Sequence, residues 1–225
     1  LPEQIDFTLN KYCLVRQKPL VDRDWEYYGV LLERIENYFQ ESQINLKTQS
    51  IHSKLYYKNI FSNFNNLLES PGITSLKGCL PEIPAIICSA GPSLDKNIQL
   101  IKSARESFFL IAVATALKPL QHNGIQPNVV VSVDPDELTI NSFDLSTNTN
   151  DFFLVYNPAV PNAIPQAFPN RRIAFDSEIY LAKWLKQYTE EKGSLGKVSS
   201  VAHAAVKLSQ FLACSPIILV GQDLS

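Results

Sequence analysis

Apolar positions change their spacing near Pro84, and that change divides the chain. Before it, Trp25, Tyr28, Leu32, Ile35 and Phe39 recur three and four apart, which is one face of a helix. Leu55, Ile60, Phe64, Leu67 and Leu68 suggest a second helix that stops at Pro71-Gly72, with a polar segment from Ser42 to Ser50 between the two. Residues 1–80 therefore read as a helical amino-terminal region, rich in Tyr, Phe and Asn, whose aromatic side chains serve packing. After Pro84, short apolar runs appear at 85–89, 108–113, 129–133, 152–156, 172–175 and 216–220. They are rich in Val, Ile and Phe and nearly continuous, as strands buried on both faces should be. Helical patterns separate several of them: Leu94, Ile98 and Ile101; Thr115 to His122, ending at Asn123-Gly124; Ile179, Leu181, Trp184 and Leu185; and Val201 to Ala213. Residues 81–225 thus predict an α/β domain, a doubly wound, mainly parallel, Rossmann-like sheet.

Such sheets bind ligands at the carboxyl ends of their strands. The first predicted strand ends in Ser89-Ala90-Gly91-Pro92-Ser93 and runs straight into a helix. That is how a phosphate-binding turn reads: small residues permit close backbone approach, and the helix N-terminus offers N–H groups and a positive dipole end. With one glycine, the turn is neither GxGxxG nor a P-loop, and an ordinary tight connection reads the same way. The other predicted strand ends are Ala114-Thr115, Asp134-Pro135-Asp136, Tyr156-Asn157-Pro158 and Gly221-Gln222-Asp223. Asp134 and Asp136 fit a Mg²⁺ bridging phosphates, ribose hydroxyls, or plain turn chemistry. Asp223 is placed to accept hydrogen bonds from a base or sugar, with Gly221 allowing close approach. Ser199 and Ser200 precede the last helix, as caps, phosphate contacts or both. His203, in that helix's first turn, is a candidate general acid or phosphate contact, against the commoner structural role of a lone histidine. His52 and His122, the other histidines, have no partner in the sequence.

Composition narrows the partners. The 225 residues are 45% apolar and carry a net charge of −2 from 20 basic and 22 acidic side chains. That is a globular composition, with no electrostatic footprint for nucleic acid or an acidic membrane. An anionic ligand would be held by local groups. Cys13, Cys79, Cys88 and Cys214 form neither a CxxC nor a zinc pattern; Cys88 and Cys214 flank apolar runs and read as buried thiols. The expected setting is a reducing cytoplasm, and the apolar runs fall far short of the ~20 residues of a membrane helix. The sequence has no methionine and stops just after a strand with a functional-looking end, so the expectation is a chain that continues beyond Ser225.

Three ordered motifs carry a family resemblance. Pro84 to Ile87 with Ala90-Gly91-Pro92-Ser93-Leu94-Asp95, then Pro127 to Pro135, then Ser200-Val201-Ala202 with Ile217 to Leu224, resemble the motility accessory factor (Maf) family. Its central domain is shared with archaeal proteins related to 6-hydroxymethylpterin pyrophosphokinase. The lead-in from Tyr57 to Ile73 is similar too, so the resemblance covers about residues 54–225. The motifs also resemble those of bacterial sialyltransferases that use CMP-activated sugars. There a GPSL turn and a Ser-Ser helix start surround the nucleotide, and a Gly-x-Asp strand end follows. Gly91, Pro92, Ser93, Ser199, Ser200, Gly221 and Asp223 fall on that pattern. Ala90 and Val201 depart from it, standing where the sialyltransferases have Asn and Gly. The resemblance implies transfer of a nonulosonic acid from its CMP donor to Ser or Thr of flagellin, without a metal. The sialyltransferase general base comes from beyond the last residue of this chain. The alternatives are an ATP- and Mg²⁺-dependent pyrophosphokinase, with Asp134 and Asp136 on the metal, and a non-catalytic nucleotide-binding domain.

Overall fold

The structure, a computed structural model, describes residues 17–145 and 152–223, the side chains of residues 40–52 excepted. Cys13 lies outside the described residues, as do the first sixteen residues of the expected helical region and the His52 side chain. The chain divides into two compact units, 1–54 and 55–225. In the first, α1 (Lys18–Arg23) precedes α2 (Trp25–Ser62), and the division falls within α2. The sequence reading separated two helices at the polar segment 42–50, but α2 is one helix through it. The reason is local: that segment contains neither Gly nor Pro, and polarity alone does not stop a helix. The helical stretch breaks at Asn63, and α3 (Phe64–Glu69) follows. It ends at Ser70, whose φ/ψ of −80/135 is the extended conformation that the following Pro71 imposes.

All six predicted strands form. They are β1 (Ala85–Cys88), β2 (Phe109–Val113), β3 (Val129–Ser132), β4 (Phe153–Tyr156), β5 (Arg172–Ala174) and β6 (Ile217–Val220). Every pairing is parallel, and the order is β5-β4-β3-β2-β1-β6. Cys88 lies opposite Ala112 on one side and Val220 on the other, so β1 and β6 end level with each other. Between strands lie α4 (Pro92–Ser103), α5 (Leu117–His122), α6 (Ala163–Gln166), α7 (Tyr180–Leu185) and α8 (Val201–Phe211). Helices cover both faces, giving the Rossmann-like α/β fold read from the sequence. The apolar sides of α4 (Leu94, Ile98, Ile101) and α8 (Ala204, Ala205, Leu208) are buried in the core with the central strands. Cys88 and Cys214 are buried; burial pushes the Cys88 thiol up to about 12, with Arg105 opposing, which leaves it unreactive. Among the described residues, no helix is long and apolar enough to cross a membrane.

The end of α8 fixes its direction. Gly78 N–H donates to Phe211 O (2.9 Å), Leu80 N–H to Leu212 O (2.9 Å), and Ser215 N–H to Ile83 O (3.0 Å), just before β1. The carboxyl end of α8 thus lies at the amino edge of the sheet. Eleven helical residues span about 16 Å, so α8 begins at the carboxyl edge. Its exit is a Schellman motif: Ala213 N–H donates to Gln210 O (3.0 Å) and Cys214 N–H to Ser209 O (2.9 Å). Ala213 holds the left-handed position at φ 65, where alanine carries a steric penalty that glycine does not. Ala213→Gly should stabilise the protein by about 1 kcal/mol, or about 2–4 °C in Tm. A thermal melt showing no gain would contradict that reading of the turn.

Candidate functional site

The strand order reverses between β1 and β6. From β1 the chain adds β2 to β5 in one direction, and β6 then returns to the other side of β1. A crevice forms at the carboxyl side of such a reversal. Here the two expected motifs meet, Ser89 to Ser93 after β1 and Gly221 to Asp223 after β6.

Five hydrogen bonds join them. Ser89 N–H donates to Val220 O (2.8 Å) and Gly91 N–H to Gly221 O (2.8 Å), extending the ladder past both strands. Gly221 N–H donates to Ser93 Oγ (2.9 Å), and Ser93 N–H donates to Asp223 Oδ2 (2.8 Å). The Ser89 hydroxyl donates to Gln222 Oε1 (3.0 Å). The result is a reciprocal clasp: Ser93 offers its oxygen to one turn and takes that turn's carboxylate on its backbone. Two glycines permit it. Gly221 has φ +76, and a Cβ there would run into the Ser89 carbonyl. Gly91 has φ −80, so its need for glycine is spatial: a Cβ would meet the Gly221 carbonyl and the Asp223 carboxylate. The sequence reading kept Gly91 small for a phosphate. In the structure, what comes close is the end of β6.

Asp223 is tied to the protein as well. The sequence reading set it to receive a base or sugar, and the structure puts its carboxylate on the first turn of α4. Gly91, the N-cap of that helix, has no side chain to cap it, so an acid from another strand does. The Ser93 backbone N–H, then the Ser93 hydroxyl and Lys96, hold the exposed Asp223 carboxyl below its usual 3.8. A depressed carboxylate stabilises the fold in full above its unfolded value, and that contribution fades as pH falls through the lowered folded one. An NMR titration should therefore find Asp223 ionising below 3.8 and the Ser93 amide shifting with it. Asp223 titrating at or above 3.8 would contradict the clasp.

A second group gathers at the start of α8. Ser200 is the N-cap, its Oγ accepting from His203 N–H (3.1 Å). Ser199 meets the His203 ring: its N–H donates to Nδ1 (3.3 Å), and its Oγ lies 3.0 Å from the same nitrogen. At the end of β3, Asp134 Oδ1 accepts from Asp136 N–H (3.0 Å), and Asp136 Oδ1 accepts from Leu138 N–H (2.9 Å). One oxygen of each carboxylate is thus used in turn and cap formation. No group of three or more His, Cys, Asp or Glu suited to a metal occurs among the described residues.

Sequence reasoning missed a buried polar row. Asn59 in α2, Asn63 at the break and Asn66 in α3 follow at spacings of four and three. Asn59 Nδ2 donates to Pro135 O (2.9 Å) and Ala159 O (2.8 Å), Asn63 Nδ2 to Pro158 O (3.0 Å) and Val160 O (2.7 Å). Asn66 Nδ2 donates to Asn63 Oδ1 (3.1 Å), while Asn66 Oδ1 accepts from Arg172 (2.8 Å). The row fastens the loops after β3 and β4, both at the carboxyl edge. Its signal was the asparagines at helical spacing in a segment already seen to be Asn-rich. Lys192, whose buried ammonium donates to Ser70 O (2.7 Å), had no signal at all.

The family model for 6-hydroxymethylpterin diphosphokinase MptE-like proteins matches residues 58–225. An uncharacterized protein of Treponema pallidum (strain Nichols) is 38% identical over 55 residues, 24% of this chain and 26% of the relative. The structure of the MAf glycosyltransferase from Magnetospirillum magneticum AMB-1 superposes with a TM-score of 0.64 at 17% identity, over 77% of this chain and 28% of that one. At that identity the likeness is one of fold. The matches span about a quarter of the length of each of these proteins.

Proposed function

The chain belongs to the MptE-like (6-hydroxymethylpterin diphosphokinase MptE-like) family, and on that premise we propose that its Rossmann-like unit binds a nucleotide phosphate and acts in a glycosyltransferase. The observation that carries this is the first turn of α8, with Ser199, Ser200 and His203, at the carboxyl edge of a sheet whose strand order reverses between β1 and β6. The donor is a CMP-activated nonulosonic acid of sialic, pseudaminic or legionaminic type. Its acceptor is a Ser or Thr hydroxyl of flagellin. Asp223 neutralises the start of α4, so the phosphate belongs toward α8, where Ser199 and Ser200 stand. The backbone N–H groups of its first turn supply countercharge to a departing phosphate, and no metal is needed. The motif resemblance to Maf proteins and sialyltransferases supports this reading, as does the fold shared with a MAf glycosyltransferase.

The family description favours a second reading, diphosphate transfer from ATP to a hydroxymethylpterin, with Mg²⁺ at Asp134 and Asp136. Thermal-shift measurements with CMP, CMP-sialic acid, ATP-Mg²⁺ and pterin separate the two. Stabilisation by CMP that survives EDTA is the expected result. Stabilisation by ATP alone, abolished by EDTA and by Asp134→Asn, would replace the first reading with the second.

A further inference from the structure

Resting on the nucleotide-phosphate reading, we infer that His203 contacts the ligand through Nε2–H, and that Ser199 is the residue that fixes it to do so. The argument begins with a donor that has no freedom. A backbone N–H can only donate, and the Ser199 N–H points at His203 Nδ1 (3.3 Å). Nδ1 is therefore an acceptor, and in the neutral ring the proton is on Nε2. The Ser199 hydroxyl, 3.0 Å from Nδ1, donates to the same nitrogen. Among the described residues, Nε2 has no hydrogen-bond partner. The ring is half-buried, so this N–H is neither lost in the core nor satisfied by the fold.

The direction of the side chain makes the free donor relevant. Side chains of a helix lean toward its N-terminus. His203 follows this rule: its ring folds back over the first turn to meet Ser199, which precedes the N-cap Ser200. The Nε2–H thus belongs to the carboxyl edge of the sheet, where α8 begins. The fold itself uses only one of the two ring nitrogens. Here one nitrogen is spent on holding the other's proton in place, the arrangement by which second-layer groups prepare a histidine for a ligand. The group it suits is a phosphate oxygen, an acceptor that a neutral N–H can reach without a counter-ion.

Three measurements on the full chain test this. A multiple-bond ¹H–¹⁵N spectrum of the free protein should show the neutral His203 ring protonated at Nε2; protonation at Nδ1 would overturn the inference. In calorimetric titrations, His203→Ala should weaken CMP about tenfold or more, the loss of one hydrogen bond to a charged acceptor. Cytidine, which lacks the phosphate, should bind both proteins equally. Ser199→Ala should weaken CMP by a smaller factor, because the backbone donor remains. The fold should survive, since His203 caps through its own N–H to Ser200, and circular dichroism checks that. If wild type binds CMP and a folded His203→Ala binds it equally, the inference about His203 fails alone. If wild type binds no CMP, the nucleotide reading fails and this inference with it.

Discussion

Gly221→Val should cost about 3 kcal/mol or more, since left-handed backbone strain and overpacking act together. The residue has φ +76, a region β-branched side chains avoid, and any Cβ there meets the Ser89 carbonyl. The obstacle is backbone, so no side-chain rotation relieves it. The β6 turn must move away, and three hydrogen bonds go with it: Gly91 N–H to Gly221 O, Gly221 N–H to Ser93 Oγ, and Ser93 N–H to Asp223. A chemical melt should show the loss, together with a shifted Ser93 amide. Gly91→Val should act similarly, because its Cβ meets the same turn. It therefore reports on the clasp as much as on any ligand. A Gly221→Val protein as stable as wild type would mean that the two turns are not packed as described.

Asn63→Leu should cost about 3–5 kcal/mol, because each buried polar group left without a partner costs about 1–3. Leucine has the branched shape of asparagine but a larger volume, so at this fully buried position overpacking adds to the polar loss. The carbonyls of Pro158 and Val160 lose their donor, and the Nδ2 groups of Asn66 and Asn162 lose the Asn63 Oδ1 acceptor. Asn63 has no exposed surface through which water could replace them. The effect should extend to the loop after β4, read as faster amide exchange at Ala159 and Val160. Near-wild-type stability would show that the row is dispensable.

These two residues mark what the sequence displayed and what it did not. The strands were legible because Ala85–Cys88, Val129–Ser132 and Ile217–Val220 are short aliphatic runs set between turn residues. No amphipathic alternative competes with that pattern. The turns after β1 and β6 were legible for the same reason: small and polar residues follow at once. Their mutual bonding was not, because Ser93 and Asp223 are 130 positions apart, and a carboxylate capping a distant helix has no local signature. Gly91 was read toward a ligand, and nothing local showed that its missing side chain also makes room for the Gly221 carbonyl and the Asp223 carboxylate. Asn63 escaped for a similar reason, since its partners are backbone carbonyls, and carbonyls have no sequence signature. The long α2 was misread as two helices because polarity was taken as a break where no Gly or Pro supplied one.

The central claim is that a nucleotide phosphate binds at the carboxyl edge, beside the strand-order reversal between β1 and β6. Amide chemical-shift mapping with CMP in the presence of EDTA tests it most directly. The account expects saturable shifts confined to Ser89–Leu94, Ser199–His203 and Gly221–Asp223, with the fold unchanged. Shifts centred on Asp134–Leu138, appearing only with Mg²⁺, would contradict it, as would a spectrum that CMP leaves unaltered.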